Sequence, residues 1–303
     1  MTISEALRKY SSVEIELLLA HVLKKPKEFV FLNQQLSLSA SQQASLAKMV
    51  KRRLAGEPVA YILGYKDFYG LRFKVSKDVL IPRPETEWLV DRALGVILKA
   101  GRPEESHKEI LRRPAPQDDA GSYRTLDLGT GSGCIAISLA KNLPEDGDHL
   151  PELYASDISG LALKVAKQNA KIHKVKIKFI ASDLFRSIDG KFDIIIANLP
   201  YVPFKMYQKY LAKNDLSPAN PFSGLKFEPM FALTDGTKSF QIYRRFFEQV
   251  GGFINKGGLV LLEIDPSSKK FLLEYQKKYL PKADIKFYKD FNNLWRFAEI
   301  KIN

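Results

Sequence analysis

From Arg124 onward, the chain alternates short apolar runs with segments of helical periodicity. The apolar runs are RTLDLG, ELYASDI, IKFIASDL and FDIIIANLPY, and helix-like segments such as CIAISLAKNL and LALKVAKQNAKIH lie between them. Repeated strand–helix–strand units form a parallel sheet with helices on both faces. GGLVLLEID predicts one more strand, and the pair IKFYKDF and WRFAEIKI predicts a closing hairpin. We therefore expect an α/β protein whose Rossmann-like sheet is mostly parallel with a terminal antiparallel strand.

The residues before Arg124 follow other patterns. VEIELLLAHVLKK carries a broad apolar stripe, and Ser39 with Gln42 has the spacing of a capping box before a further helix. After Pro58 come short β-type runs with glycine turns, which predict a hairpin. The units we expect are an N-terminal helical domain at 1–57, a β-hairpin linker at 58–80 and the α/β domain at 81–303. Prolines, glycines and charges predict a flexible insertion at 99–123.

The charge balance bears on location and partners. Lysine and arginine total 47 against 34 aspartates and glutamates, a formal net charge of +13. This excess either favours transient approach to RNA or a ribosome or only keeps the surface soluble, and the sequence leaves both open. No apolar run approaches bilayer length, so we expect a cytoplasmic protein without membrane contact, and we take it to be a monomer. Cys134, the single cysteine, excludes an intrachain disulfide and a multi-cysteine metal site.

A glycine-rich turn follows the first strand of the α/β domain. In LDLGTGSG the strand ends near Asp127, and three glycines between Gly129 and Gly133 lead into the next helix. Such a turn at the carboxyl end of a parallel strand lets the backbone approach a nucleotide-like ligand. Asp157 ends the next strand, where a carboxylate can accept hydrogen bonds from ribose hydroxyls. Asp183 ends the third strand and could meet an adenine amino group.

The same loop leaves three interpretations open. Gly131, Gly133 and Ala136 also satisfy the looser dinucleotide pattern G-x-G-x-x-A, which would indicate NAD. Asp127 favours another ligand, because a carboxylate before the glycines repels a pyrophosphate but suits the ammonium of an amino acid. S-adenosylmethionine has that ammonium and NAD lacks one. A tight turn without a ligand is the third interpretation.

The fourth strand ends in Asn198-Leu199-Pro200-Tyr201. The Asn198 side chain and the Leu199 main chain each offer a carbonyl, and two acceptors can hold both hydrogens of an NH2 group. Because the lone pair of such a planar nitrogen is delocalised, orienting it toward a methyl donor is the main catalytic task. Pro200 fixes the turn, and Tyr201 would pack on the flat face of the acceptor. Considered alone, the motif could equally be a turn closed by proline.

These blocks together resemble the protein-(glutamine-N5) methyltransferases, which modify class I peptide chain release factors. The resemblance covers nearly the whole chain, through GEPVAYILGYKDFYGLRFKV, VLIPRPETEWLV, LDLGTGSGCIAISLA, SDLF, FDIIIANLPY, FEPMFALTDG and KDFNNLWRF in that order. IPRPETE, Ile81 to Glu87, discriminates best, because adenine and ribosomal RNA methyltransferases share the glycine loop and an NLPY-like motif without it. The resemblance implies a class I S-adenosylmethionine-dependent methyltransferase domain that methylates the glutamine of the release factor's Gly-Gly-Gln motif, with the N-terminal helices docking that protein.

The resemblance also implies roles for individual residues, and no metal. Cofactor contacts would come from the glycine loop and the strand ends, namely Asp127, Gly129, Thr130, Gly131, Ser132, Gly133, Asp157, Asp183, Leu184 and Asn198. The target glutamine would be bound by Asn198, Leu199, Pro200 and Tyr201, of which the first and the last two are the expected catalytic residues. Arg83 and Glu85 would shape the pocket wall or only form helix-entry and ion-pair contacts, and Glu228 with Pro229 would support the site.

Some blocks depart from the family pattern. The family usually has N-P-P-Y, and here Leu199 replaces the first proline while keeping its carbonyl, so activity should survive. NLPY also resembles the motif of ribosomal RNA dimethyladenosine enzymes, which makes adenine N6 methylation of RNA or DNA the rival function. LEIDPSS lacks the family's glycine after Glu-Ile, and 99–123 is longer than usual. A basic scaffold that binds ribosomes is the non-enzymatic alternative.

Overall fold

A computed structural model describes residues 1–10, 14–100, 123–144, 151–212, 224–236 and 240–303. The insertion predicted at 99–123 therefore lies outside the described residues except at its two ends. In the ranges that are described, no helix is both long and apolar enough to cross a bilayer.

The N-terminal part consists of short helices around one apolar core. These are α1 (Ile3–Tyr10), α2 (Ile15–Leu23), α3 (Lys27–Leu32), α4 (Ala40–Leu54) and α5 (Val59–Leu63). The predicted capping box is present, because the Ser39 hydroxyl accepts from the Gln42 amide and the Gln42 side chain accepts from the Ser39 amide. Helix α5 falls inside the range predicted as a hairpin linker. It joins the helical core because Val59 and Ile62 are buried there.

The predicted hairpin follows α5. Its strands are β1 (Tyr65–Phe68) and β2 (Leu71–Lys74), which pair antiparallel. Tyr69 and Gly70 connect them with positive φ angles of 51° and 70°, as a tight two-residue turn requires. Phe68 and Phe73 are buried in an apolar cluster shared with the α/β part, so the hairpin packs onto the larger domain.

The main sheet confirms the predicted fold. Its strands are β3 (Arg124–Leu128), β4 (Glu152–Asp157), β5 (Lys178–Ala181), β6 (Phe192–Ala197), β7 (Ile254–Glu263), β8 (Asp284–Lys289) and β9 (Trp295–Lys301). Among the described residues their order is β5-β4-β3-β6-β7-β9-β8. Strands β3 to β7 are mutually parallel, and β9 lies antiparallel to both β7 and β8.

Helices cover both faces of this sheet. They are α6 (Glu87–Ala100), α7 (Cys134–Asn142), α8 (Gly160–His173), α11 (Gln241–Val250) and α12 (Lys269–Tyr279). Two further helices, α9 (Phe204–Ala212) and α10 (Met230–Leu233), pack in a separate small apolar cluster. Successive residues of β6 point to opposite faces. Ile194 and Ile196 belong to the apolar cluster that includes α6 and α7, whereas Ile195 and Ala197 belong to the cluster that includes α11 and α12. Burial on both faces explains why this strand is apolar throughout.

The strand order also locates the ligand crevice. The chain runs from β3 outward to β4 and β5, then returns to β6 on the other side of β3. The loops after β3 and β6 therefore leave in opposite directions and open a crevice at the carboxyl edge of the sheet. The glycine loop and the NLPY motif follow these two strands.

Candidate active site

A cavity of about 560 Å³ opens at this edge, a size typical of small-molecule sites. Most predicted site residues line it, namely Arg83, Gly129, Thr130, Gly131, Ser132, Asp157, Asp183, Leu184, Asn198, Leu199, Pro200 and Pro229. Other predicted residues do not line it, namely Glu85, Asp127, Gly133, Tyr201 and Glu228. The structure thus brings the cofactor and acceptor motifs to one cavity and leaves some of their side chains outside its lining.

The glycine loop has the backbone that its sequence predicts. Gly129, Gly131 and Gly133 all have positive φ, at 78°, 55° and 84°. A Cβ on Gly133 would lie 2.9 Å from the Ile137 side chain and 3.2 Å from Ala166, so only glycine fits where α7 packs on α8. The loop is tied to β4 by the amides of Gly129 and Thr130, which both donate to the Ser156 carbonyl at 2.8 Å.

Asp127 lies fully buried next to this loop. Its Oδ2 accepts hydrogen bonds from the Thr130 hydroxyl at 2.6 Å and the Ala136 amide at 3.2 Å. Its Oδ1 is buried and has no hydrogen-bond partner among the described residues. Burial raises the pKa of Asp127 to about 7, although both donors oppose that shift. One oxygen of the Asp127 carboxylate is thus an unused acceptor. Of Asp127 and its donor Thr130, only Thr130 lines the cavity.

Asp157 connects the glycine loop to α8. Its Oδ2 accepts from the Gly131 amide and its Oδ1 from the Ser159 amide, both at 2.8 Å. Burial raises the pKa of Asp157, and the backbone donors oppose the shift. The side chain lines the cavity, and its contact with ribose hydroxyls remains a prediction.

Asp183 follows β5 and forms an ion pair that the sequence did not predict. Arg245 of α11 donates through Nη2 to Asp183 Oδ2 at 2.6 Å, and both residues line the cavity. The neighbouring Leu184 is buried with a positive φ of 49°, and its carbonyl accepts from the Ser182 hydroxyl. This arrangement leaves Asp183 Oδ1 for a further donor.

Asn198 and Tyr201 are joined by a third residue, Glu263 at the end of β7. The Asn198 amide nitrogen donates to Glu263 Oε2 at 3.0 Å and to the Thr86 hydroxyl at 3.2 Å. The Tyr201 hydroxyl donates to Glu263 Oε1 at 2.7 Å. Sequence reasoning missed Glu263 and Thr86. A charged residue inside the apolar run LVLLEI was the signal that could have found Glu263, because buried carboxylates need partners.

Arg83 and Glu228 form a second link across the site. Glu228 is buried, and its carboxylate accepts from Arg83 Nη2 at 2.5 Å and from the Ile81 amide at 3.0 Å. Arg83 and Pro229 line the cavity, whereas Glu228 holds them from outside its lining. Glu85 is half-buried and does not line the cavity.

The side chains that line the cavity favour a positively charged ligand with ribose hydroxyls over a ligand with a pyrophosphate. Asp157, Asp183 and Asp235 line the cavity. Among the described lining residues the arginines are Arg83 and Arg245, and each is paired with a carboxylate. One amide of the glycine loop, which could otherwise face a phosphate, donates to Asp157. S-adenosylmethionine carries a sulfonium, an ammonium and a ribose without any phosphate, so this donor and acceptor set fits it and does not fit NAD.

Comparisons with known proteins identify the family of this chain. Residues 3–64 match the PrmC N-terminal domain, and residues 112–219 match the methyltransferase small domain. A release factor glutamine methyltransferase of Haemophilus influenzae is 33% identical over 256 residues, which cover 84% of this chain and 79% of that protein. A bifunctional methyltransferase of Rickettsia prowazekii is 36% identical over 258 residues, covering 83% of this chain and 46% of that longer protein.

Among solved structures, the chain is similar to the catalytic domain of hMettl16 in complex with a MAT2A 3'UTR hairpin. The TM-score is 0.54, with 16% identity over 94% of this chain and 92% of that one. At this identity the likeness concerns the fold alone. The Haemophilus influenzae relative, by contrast, matches most of both chains at an identity that shows common membership. The chain therefore belongs to the release factor glutamine methyltransferase family.

Proposed function

We propose that the protein transfers the methyl group of S-adenosylmethionine to the side-chain amide nitrogen of the glutamine in the Gly-Gly-Gln motif of class I release factors. The orientation of Asn198 carries this proposal. Its amide nitrogen donates to Glu263 and Thr86, while its Oδ1 makes no hydrogen bond to any described residue. A side-chain carbonyl at the cavity is therefore free to accept a hydrogen from a substrate amide.

The second acceptor is the Leu199 carbonyl, and together the two would hold both hydrogens of the glutamine NH2. S-adenosylmethionine supplies an electrophilic methyl group on its sulfonium. The N–C bond forms as the S–C bond breaks, and the nitrogen then releases one proton to water, so the chain needs to supply orientation and no general base. The glycine loop and the acceptor motif are adjacent, because a Cβ on Gly129 would lie 3.6 Å from the Leu199 side chain and 3.9 Å from the main-chain oxygen of Asn198.

A groove outside the active-site cavity supports a docking role for the N-terminal helices. A groove of about 1130 Å³ lies between α2, α3, the hairpin and the start of the α/β part. Its lining includes Lys24, Lys25 and Lys66, and Arg83 lines both this groove and the active-site cavity. A release factor bound along the groove would therefore have a direct path to Asn198. The net charge of +13 also suits work near ribosomes, and with this substrate the protein would act in the cytoplasm as a monomer.

Labelled S-adenosylmethionine tests this function directly. The protein is incubated with purified release factor, with the same factor carrying alanine in place of the motif glutamine, and with ribosomal RNA or DNA. We expect label on the first substrate only, at the glutamine side chain by mass spectrometry. Label on adenine N6 with none on the release factor would overturn the proposal.

A further inference from the structure

The carboxylate of Glu263 is the centre of a buried hydrogen-bond cluster. Glu263 is 1% exposed and does not line the active-site cavity. Its Oε2 accepts from the Thr86 hydroxyl at 2.6 Å and from Asn198 Nδ2 at 3.0 Å, and its Oε1 accepts from the Tyr201 hydroxyl at 2.7 Å. Two residues of the acceptor motif and one of the IPRPETE block therefore meet on one side chain.

This cluster distinguishes the two ends of the Asn198 amide. The oxygen and nitrogen of a carboxamide are nearly equal in size, so packing alone does not choose between the two flipped orientations. Thr86 gives its proton to Glu263, so its oxygen can only accept from Asn198. A flipped amide would place its oxygen beside two acceptor oxygens in a buried site, which costs free energy.

We propose that Glu263 is a positioning residue that holds the Asn198 carbonyl toward the acceptor glutamine, an inference that rests on the methyl transfer proposed above. Glu263 acts through Asn198 and Tyr201 and does not touch the substrate. Its charge adds to the effect, because an amide that donates to a carboxylate becomes a stronger acceptor at its oxygen. Thr86 completes the cluster, which gives the IPRPETE block a role in acceptor orientation.

Burial of Glu263 works against the ionised carboxylate that this role needs, whereas its hydrogen-bond donors and a nearby arginine favour that form. Burial raises the pKa of Glu263, while the donors Thr86 and Tyr201 and the charge of Arg296 oppose the shift and Glu85 adds to it. The Tyr243 hydroxyl donates to the Glu263 main-chain carbonyl at 2.7 Å, which fixes the backbone from which the carboxylate extends.

A reciprocal exchange tests the proposal. Asn198→Asp places two carboxylates in one buried site, and we expect turnover to fall by at least about 100-fold. In the double variant Asn198→Asp with Glu263→Gln, the new amide donates to one oxygen of the new carboxylate and leaves the other for the substrate. We expect this double variant to recover at least about tenfold of the lost turnover.

The experiment also includes the single variant Glu263→Gln and a control variant. Glu263→Gln should lose less than about tenfold in turnover, because its amide oxygen can still accept from Asn198 while its nitrogen faces Tyr201. In all three variants the Kd for S-adenosylmethionine should change much less than kcat does, so that the loss lies mainly in the transfer step. Glu299→Gln is the matched control. Glu299 is a buried carboxylate of β9, the strand beside β7, but it pairs with Arg92 and does not line the active-site cavity, so its kcat should stay at the wild-type value.

A double variant that is no faster than Asn198→Asp would overturn the positioning role, as would a Glu263→Gln loss that simply multiplies with the Asn198→Asp loss. Thermal unfolding and cofactor titration confirm that each variant folds. The rates are compared on the acceptor that the wild-type protein methylates. Failure of the release factor as acceptor would therefore overturn the proposed function, while the order of the variant rates separately decides the role of Glu263.

Discussion

The guanidinium of Arg245 in α11 pairs with the carboxylate of Asp183 at the end of the third parallel strand, with Nη2 and Oδ2 2.6 Å apart. The pair leaves Asp183 Oδ1 available for an adenine amino group. Arg245→Ala should raise the Kd for S-adenosylmethionine by no more than about fivefold, because a partly exposed ion pair contributes little by itself. Asp183→Ala should raise it by about tenfold through loss of the adenine contact. If calorimetry finds the same Kd for Asp183→Ala as for the wild-type protein, Asp183 does not contact the adenine.

Asp157 should matter to cofactor binding in two ways. It holds the Gly131 amide and is expected to accept from ribose hydroxyls. Asp157→Asn keeps the size of the side chain but lacks the charge and one acceptor, so the Kd for S-adenosylmethionine should rise by at least about tenfold. A parallel titration of the wild-type protein with NAD should show no binding, and heat of binding there would restore the dinucleotide interpretation.

Substitutions at positions 198 and 199 should have different effects on the rate of methyl transfer. Asn198→Ala removes the free carbonyl while leaving the ribose and adenine contacts, so single-turnover rates should fall by at least about 100-fold with cofactor affinity retained. Leu199→Pro keeps the main-chain carbonyl, so methylation should continue. Leu199 is buried, and loss of its side chain should lower the melting temperature. A folded Leu199→Pro protein that binds cofactor but transfers no methyl group would contradict the backbone role.

The lysines of the groove should affect the protein substrate alone. Lys24 and Lys25 are exposed and line it. Replacing both by glutamate should raise KM for whole release factor by about tenfold without changing cofactor affinity, because neither lysine lines the active-site cavity. The matched control reverses Lys277 and Lys278, which are exposed on α12. Equal effects from both pairs would show that only net charge matters.

Asp127 should make stability depend on pH. Burial raises its pKa to about 7, above the unfolded value of about 3.9. The stabilisation from its protonated form is therefore full below about pH 4 and is lost as the pH rises through about 7. Asp127→Asn cannot ionise, so its free energy of unfolding relative to wild type should increase steadily over that window. Urea unfolding at several pH values measures the difference, and a difference that stays constant would contradict the assignment.

The sequence predicted the sheet, its terminal antiparallel strand and the positions of the glycine loop and NLPY because each depends on local pattern. Strand ends in parallel sheets meet at one edge, so Asp157, Asp183 and Asn198 could be placed together without knowing their contacts. Helix α5 was missed because five residues after a proline carry too little periodicity to distinguish a helix from a strand.

The side-chain contacts of the site could not be predicted in the same way. Glu263 contacts Thr86 across 177 residues and Asn198 across 65, and such pairs depend on strand order and register. Tyr201 was expected to pack on the acceptor, yet its hydroxyl points to Glu263 and its side chain does not line the cavity. The tyrosine's contact with substrate remains a prediction.

The position of β7 in the chain has a consequence for synthesis on the ribosome. The strands that carry the glycine loop, Asp157 and Asp183 all precede β6, whereas Glu263 ends β7 and β7 is bordered by β9 near the end of the described chain. A nascent polypeptide can therefore complete the cofactor half of the sheet while the amide of Asn198 still lacks the partner that orients it. The order of translation therefore places the cofactor-binding strands before the residue that orients Asn198. The acceptor site can form only after the last strands have left the ribosome.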